Sequence, residues 1–217
     1  MLYFLIKKVK HISNNLINNY KNNGFVIVDD FLPEEIANKL EVMYSADNNE
    51  WECINQAKDQ TYSTGKSGRN FTKSPYFPGK EETYTAKFWR SNKLESETEN
   101  IFGEYFVPAL KSISQLELSK FVRRCFKLDE GGHWRTHTDD WYGGTSSIYY
   151  INKNWVWDWG GILHWGADDN TDQLTSIFPK FNRVVFMSHK NFKFSHFISP
   201  VTKHALNPRF SFNSFNN

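Results

Sequence analysis

The chain changes its hydrophobic period part-way along. Near the start, apolar residues fall three or four apart: Ile12, Leu16, Ile17 and Tyr20 in "ISNNLINNYKNN" share one face of a helix over 12–23. "GFVIVDDFL" (24–32) is a short run rich in Val and Ile and predicts a strand. Residues 32–44 open with Pro33 and two glutamates and carry Ile36, Leu40 and Met43. That is a helix with acids in its first turn. From 54 to 85 the chain is polar and carries Gly65, Gly68 and Gly79. It reads as one long loop, of a length often used for substrate lids. Residues 97–116 return to helical spacing. Beyond them lie short β-type runs broken by Gly, Asn and Pro: 121–128, 145–151, 161–165, 174–178, 183–187, 193–201 and 208–215.

Helices first and strands afterwards predict an α+β chain whose C-terminal half is a β-sandwich or jelly roll. A single domain over 1–217 is expected, with helical and strand support in 1–118 and the core in 119–217. The 217 residues suffice to bury a core, and 17% aromatic with 23% charged residues is a globular balance. The formal net charge of +2 gives no footing for nucleic acid or a membrane surface. Cys53 and Cys125 lie far apart without metal-ligand spacing, as expected of free thiols in a reducing compartment. "MLYFLIKKVK" holds six apolar residues before a basic run, too few for a span or a signal core. A soluble, cytoplasmic protein is expected.

The densest chemistry lies in "GGHWRTHTDDWYGG" (131–144). His137 and Asp139 are two apart, so on extended backbone both project from one face and can reach one ion. Asp140 points to the other face, and His133, four before His137, is too far to join. A nitrogen and a carboxylate oxygen suit a borderline metal such as Fe(II). Alone, the triplet fits ordinary strand-end hydrogen bonds better than a metal site.

The C-terminal third of the chain separates these alternatives. His137 and Asp139 are succeeded by Tyr150 to Asn152, Trp155, Gly160-Gly161 with Leu163, then Pro179, Asn182 and Arg183, then His196, and finally Arg209 and Ser211. In that order the residues resemble the 2-oxoglutarate- and Fe(II)-dependent dioxygenases of the prolyl 4-hydroxylase-like kind, nearest in pattern to the ribosomal-protein prolyl hydroxylases. "GFVIVDDFLPEEIANKL" is similar to that family's first strand and helix. One position departs: Leu128 stands where many of these enzymes carry a tyrosine.

The resemblance implies a double-stranded β-helix (jelly-roll) core with supporting N-terminal helices. It implies Fe(II) held by His137, Asp139 and His196, which would also be the catalytic residues. It further implies 2-oxoglutarate bound through Arg209, Tyr150 and Ser211, O2 as oxidant, and ascorbate as an accessory reductant. The reaction would hydroxylate an unactivated C–H bond with release of succinate and CO2. A protein or peptide substrate, peptidyl-proline first, is expected, with a free amino acid or other small molecule as the alternative. Trp134, Trp141, Tyr142 and the 54–85 loop would form the rim. A non-catalytic jelly-roll binding protein is the rival from another class. His164, His189 and His204 are read as structural.

Overall fold

The computed structural model describes residues 12–45, 51–56, 86–91, 96–137, 139, 144–167, 174–189 and 194–217. Helix α1 (Asn14–Asn23) starts where Ser13 accepts from the Leu16 N–H. It stops at Gly24, whose left-handed backbone (φ 74°) returns its N–H to Tyr20. Strand β1 (Phe25–Val28) and α2 (Glu34–Ser45) follow. Next come β2 (Glu52–Gln56), β3 (Ala86–Ser91) and α3 (Ser96–Ile101). A π turn over Phe102–Phe106 leads into α4 (Val107–Ser114). Pro108 lies at its start; it has no N–H to give, and a widened turn ahead of it relieves the clash of its ring with the preceding carbonyls.

The remaining strands are β4 (Phe121–Leu128), β5 (His133–His137), β6 (Thr145–Tyr150), β7 (Leu163–Ala167), β8 (Leu174–Ile177), β9 (Arg183–Ser188), β10 (Phe194–Ile198) and β11 (Arg209–Asn216). They run β1-β9-β6-β11-β4-β3-β5-β10-β7-β8, antiparallel throughout, with β2 added beside β3. The fold is the expected α+β jelly roll with few helices.

The order of helices first and strands afterwards does not hold. Besides the expected β1, strands β2 and β3 come from the first half, and β3 joins β4 to β5 within the sheet. The long loop expected over 54–85 also begins later, because 54–56 belong to β2. Residues 57–85, with Tyr62, Phe71, Tyr76 and Phe77, lie outside the described residues, as do Trp141 and Tyr142.

Period-two alternation divides the sheet's side chains between two apolar clusters. Cys125, Tyr149, Val184, Phe186, Phe210 and Phe212 pack outward against the helices. There Phe106 lies edge-on to Phe31, Tyr149 and Phe212, with ring centres 4.9, 5.5 and 5.4 Å away. Much of the aromatic content is used here. Phe126, Leu128, Ile148, Tyr150, Leu163, Trp165, Val185, Met187 and Ile198 form the second cluster, inside the roll. Cys125 is buried among the outward group, which pushes its thiol up to about 12. No helix among the described residues is long and apolar enough to cross a membrane.

Candidate metal and cosubstrate site

Strand β5 ends at His137, and Asp139 lies just beyond it. His196 sits on β10 directly opposite His137 in the ladder. This pairing brings together residues 59 apart in sequence. His137 Nε2 lies 3.7 Å from Asp139 Oδ1, and His196 Nε2 lies 3.5 Å from Asp139 Oδ2. The candidate ligand atoms all fall within 4.8 Å of one another. Burial alone would raise the Asp139 carboxyl. The His196 ring, with His137 and His189 behind it, outweighs burial and holds it well below the usual carboxylate range. Two imidazole nitrogens and an ionised carboxylate on one side of an ion are a donor set for Fe(II) that leaves further positions open.

Deeper in the roll, Arg209 opens β11, with Ser211 on the same face and Tyr150 across from Ser211 on β6. Arg209 is 0% exposed, yet none of its three guanidinium nitrogens has a hydrogen-bond partner. The Tyr150 hydroxyl and Ser211 Oγ are buried without partners too. The guanidinium lies over the Tyr150 ring, 4.9 Å from its centre. Burial lowers the arginine's pKa and raises the tyrosine's, each partly offset by the other group. A buried cation with an unused planar fork and two idle hydroxyls costs stability unless an anion joins it. A carboxylate such as the far end of 2-oxoglutarate fits that cluster.

Neighbouring residues hold the arginine in place. Asn152 Nδ2 donates to the Pro208 carbonyl at 2.8 Å, and its Oδ1 accepts from the Phe210 N–H at 2.5 Å, clamping the backbone on both sides of Arg209. Gly161 (φ +63°) passes so close that a Cβ there would lie 2.6 Å from Arg209 Cδ. Gly160 bridges to Val201 and is capped by Trp155, whose Nε1 donates to its carbonyl at 3.0 Å. Leu128, at the position where many prolyl hydroxylases carry a tyrosine, is fully buried opposite Arg209 in the β4–β11 register.

The other histidines divide. His133 Nδ1 lies 2.7 Å from the Gly131 carbonyl, and His164 stacks on Phe197 beside Ser176. His204 is exposed in a turn. His189 is different. It is buried at the end of β9, its Nε2 2.7 Å from Ser146 Oγ and its ring centre 6.5 Å from that of His196. Local sequence predicts only a turn residue there. Alternation from the inward residues Val185 and Met187 carries the inner face to position 189 and could have found it. Trp134 packs edge-on to Phe126 at 4.8 Å, inside the roll.

Residues 124–216 match the model of the 2OG-Fe(II) oxygenase superfamily. Over that span, which is less than half of the chain, it is similar to that superfamily. The match and the His137–Asp139–His196 cluster support a dioxygenase that uses Fe(II), 2-oxoglutarate and O2. Solved structures share the fold at low identity. A Pseudomonas putida prolyl-4-hydroxylase is 14% identical with a TM-score of 0.63, covering 94% of this chain and 97% of its own. A Trichoplax adhaerens prolyl hydroxylase, in complex with a hypoxia inducible factor oxygen degradation domain peptide fragment, is 17% identical at 0.63, covering 93% and 86%. The non-heme carbocyclase SnoK from nogalamycin biosynthesis is 10% identical at 0.64, covering 96% and 85%. No curated protein sequence matches the chain.

Proposed function

We propose that His137, Asp139 and His196 hold the iron, that Arg209, Tyr150 and Ser211 bind the distal carboxylate of 2-oxoglutarate, and that the enzyme hydroxylates a peptidyl-proline. The observation that carries the cosubstrate assignment is the buried Arg209 guanidinium without a hydrogen-bond partner. When bound, iron and 2-oxoglutarate supply the oxidation, in which O2 is consumed, succinate and CO2 leave and a C–H bond becomes C–OH. The chain's own part is placement. Asp139, held ionised by the surrounding imidazoles, presents a charged donor. The Arg209 fork and the Tyr150 hydroxyl orient a dicarboxylate along the roll, and Phe126, Ile148, Leu163 and Met187 line a wall that excludes water.

Two findings bear on the substrate. The resemblance to prolyl hydroxylases, and the peptide bound to the Trichoplax enzyme, support a peptide. The likeness to SnoK favours a small molecule as the second reading. The test incubates the enzyme with Fe(II), 2-oxoglutarate and a proline-containing peptide library. A gain of 16 Da on proline, matched by succinate, is the expected result. Succinate formation coupled only to small amino acids or metabolites would overturn the peptide assignment and leave the oxygenase standing.

A further inference from the structure

A histidine that binds a metal through one ring nitrogen usually donates its other N–H to a carbonyl or carboxylate, which fixes the ring's orientation. His196 lacks that support. Its Nε2 faces Asp139, while its Nδ1 is buried without a hydrogen-bond partner. What lies against the ring is an indole. Trp165, directly opposite His196 in the β7–β10 ladder, stacks on the imidazole with centres 5.6 Å apart and planes 21° apart. The indole is itself fixed. It is 2% exposed, its Nε1 donates to the Asn23 carbonyl at the end of α1 (3.3 Å), and Phe25 packs on it at 5.9 Å.

We infer that Trp165 is a positioning residue: its ring face, in place of a hydrogen bond, sets the orientation of His196 toward the metal. The inference rests on the reading of His196 as an iron ligand. Trp165 thereby links the C-terminal end of α1 to the metal centre.

The experiment titrates Co(II) into the metal-free protein by calorimetry, alongside its visible absorption spectrum. Wild type, Trp165→Leu, Trp165→Phe and the control His196→Ala are compared, with circular dichroism and Tm confirming each fold. Trp165→Leu keeps an apolar side chain without a π face; Trp165→Met takes its place if it does not fold. The expected result is a Co(II) affinity weakened about tenfold or more in the Leu variant, with a changed spectrum, and restored to within about threefold by Phe. Unchanged affinity and spectrum in the Leu variant would overturn the inference. Equal losses in Leu and Phe would overturn it too, assigning the effect to the indole N–H or to volume. Wild type that binds no Co(II), or His196→Ala that binds it as tightly, would instead remove the iron-ligand assignment.

Discussion

Tyr149 and Tyr150 are chain neighbours on β6, yet they belong to two polar groups with opposite properties. On the outward face, Tyr149 donates to Asn182 Oδ1 at 3.1 Å. Asn182, left-handed at φ 59°, also accepts from the Leu32 N–H and donates to the Leu32 carbonyl. Next in the chain, on the inward register opposite Tyr150, Arg183 grips Asp29 with two nitrogens, at 2.6 and 3.0 Å. Deeper on the inward face, the Tyr150 hydroxyl, the Arg209 guanidinium and Ser211 Oγ are buried without hydrogen-bond partners, the guanidinium resting over the Tyr150 ring. A protein that satisfies Tyr149, Asn182 and Arg183 so fully has no structural reason to leave Tyr150, Arg209 and Ser211 bare. The Tyr149–Asn182 group holds the fold; the Tyr150–Arg209–Ser211 group fits the ligand role proposed for it.

The comparison can be broken most severely at Asn182. Asn182→Ala removes three buried hydrogen bonds and places alanine at positive φ, and should cost about 3 kcal/mol in urea unfolding. Arg209→Lys is expected to weaken 2-oxoglutarate binding by about 2 kcal/mol, roughly thirtyfold, in calorimetry with Co(II) present. It should leave Co(II) affinity alone. Arg209→Met should leave the Tm of the ligand-free protein unchanged or raised, because it removes a buried, unpaired cation. A Tm drop like that of Asn182→Ala would erase the distinction between the clusters.

The tyrosines give a subtler contrast. Tyr150→Phe should raise the apparent KM for 2-oxoglutarate about fivefold with stability held. Tyr149→Phe should cost about 1 kcal/mol of stability with KM unchanged. The smallest effect concerns acid. Hydrogen bonds from Arg183, opposed by partial burial and helped by Lys180, lower the Asp29 carboxyl to about 2. A carboxyl lowered on folding contributes stability above its unfolded value of about 3.9, and that contribution is lost as pH falls through about 2. Because Asp29 is 35% exposed, solvent screening limits this to about 1 kcal/mol. Asp29→Asn should therefore trail wild type by a constant margin from pH 5 to 7, and the margin should shrink below pH 4 and close only below pH 2.

The outward and inward faces were legible in the sequence to different degrees. Alternation along 145–150 and 209–216 separates Tyr150 from Tyr149 and puts Arg209 with Ser211, but their expected role with 2-oxoglutarate came from the family resemblance. His196 needed the family's residue order, because no local pattern tells which distant strand pairs with β5. Strands β2 and β3 were missed: they flank a long polar stretch whose composition outweighs six residues such as "AKFWRS". His189 and Trp165 were missed because their roles come from ring-to-ring placement across strands, which the spacing of ligands does not encode.

The most direct test is an anaerobic titration of Fe(II)-loaded protein with 2-oxoglutarate, followed in the visible region. If the triad and the inward cluster serve one site, wild type develops a weak metal-to-ligand charge-transfer band. Asp139→Ala and His196→Ala should show none, and Arg209→Lys should reach it only at roughly thirtyfold more 2-oxoglutarate. A wild-type protein without the band, or an Arg209→Lys variant that saturates at the wild-type concentration, would contradict the account.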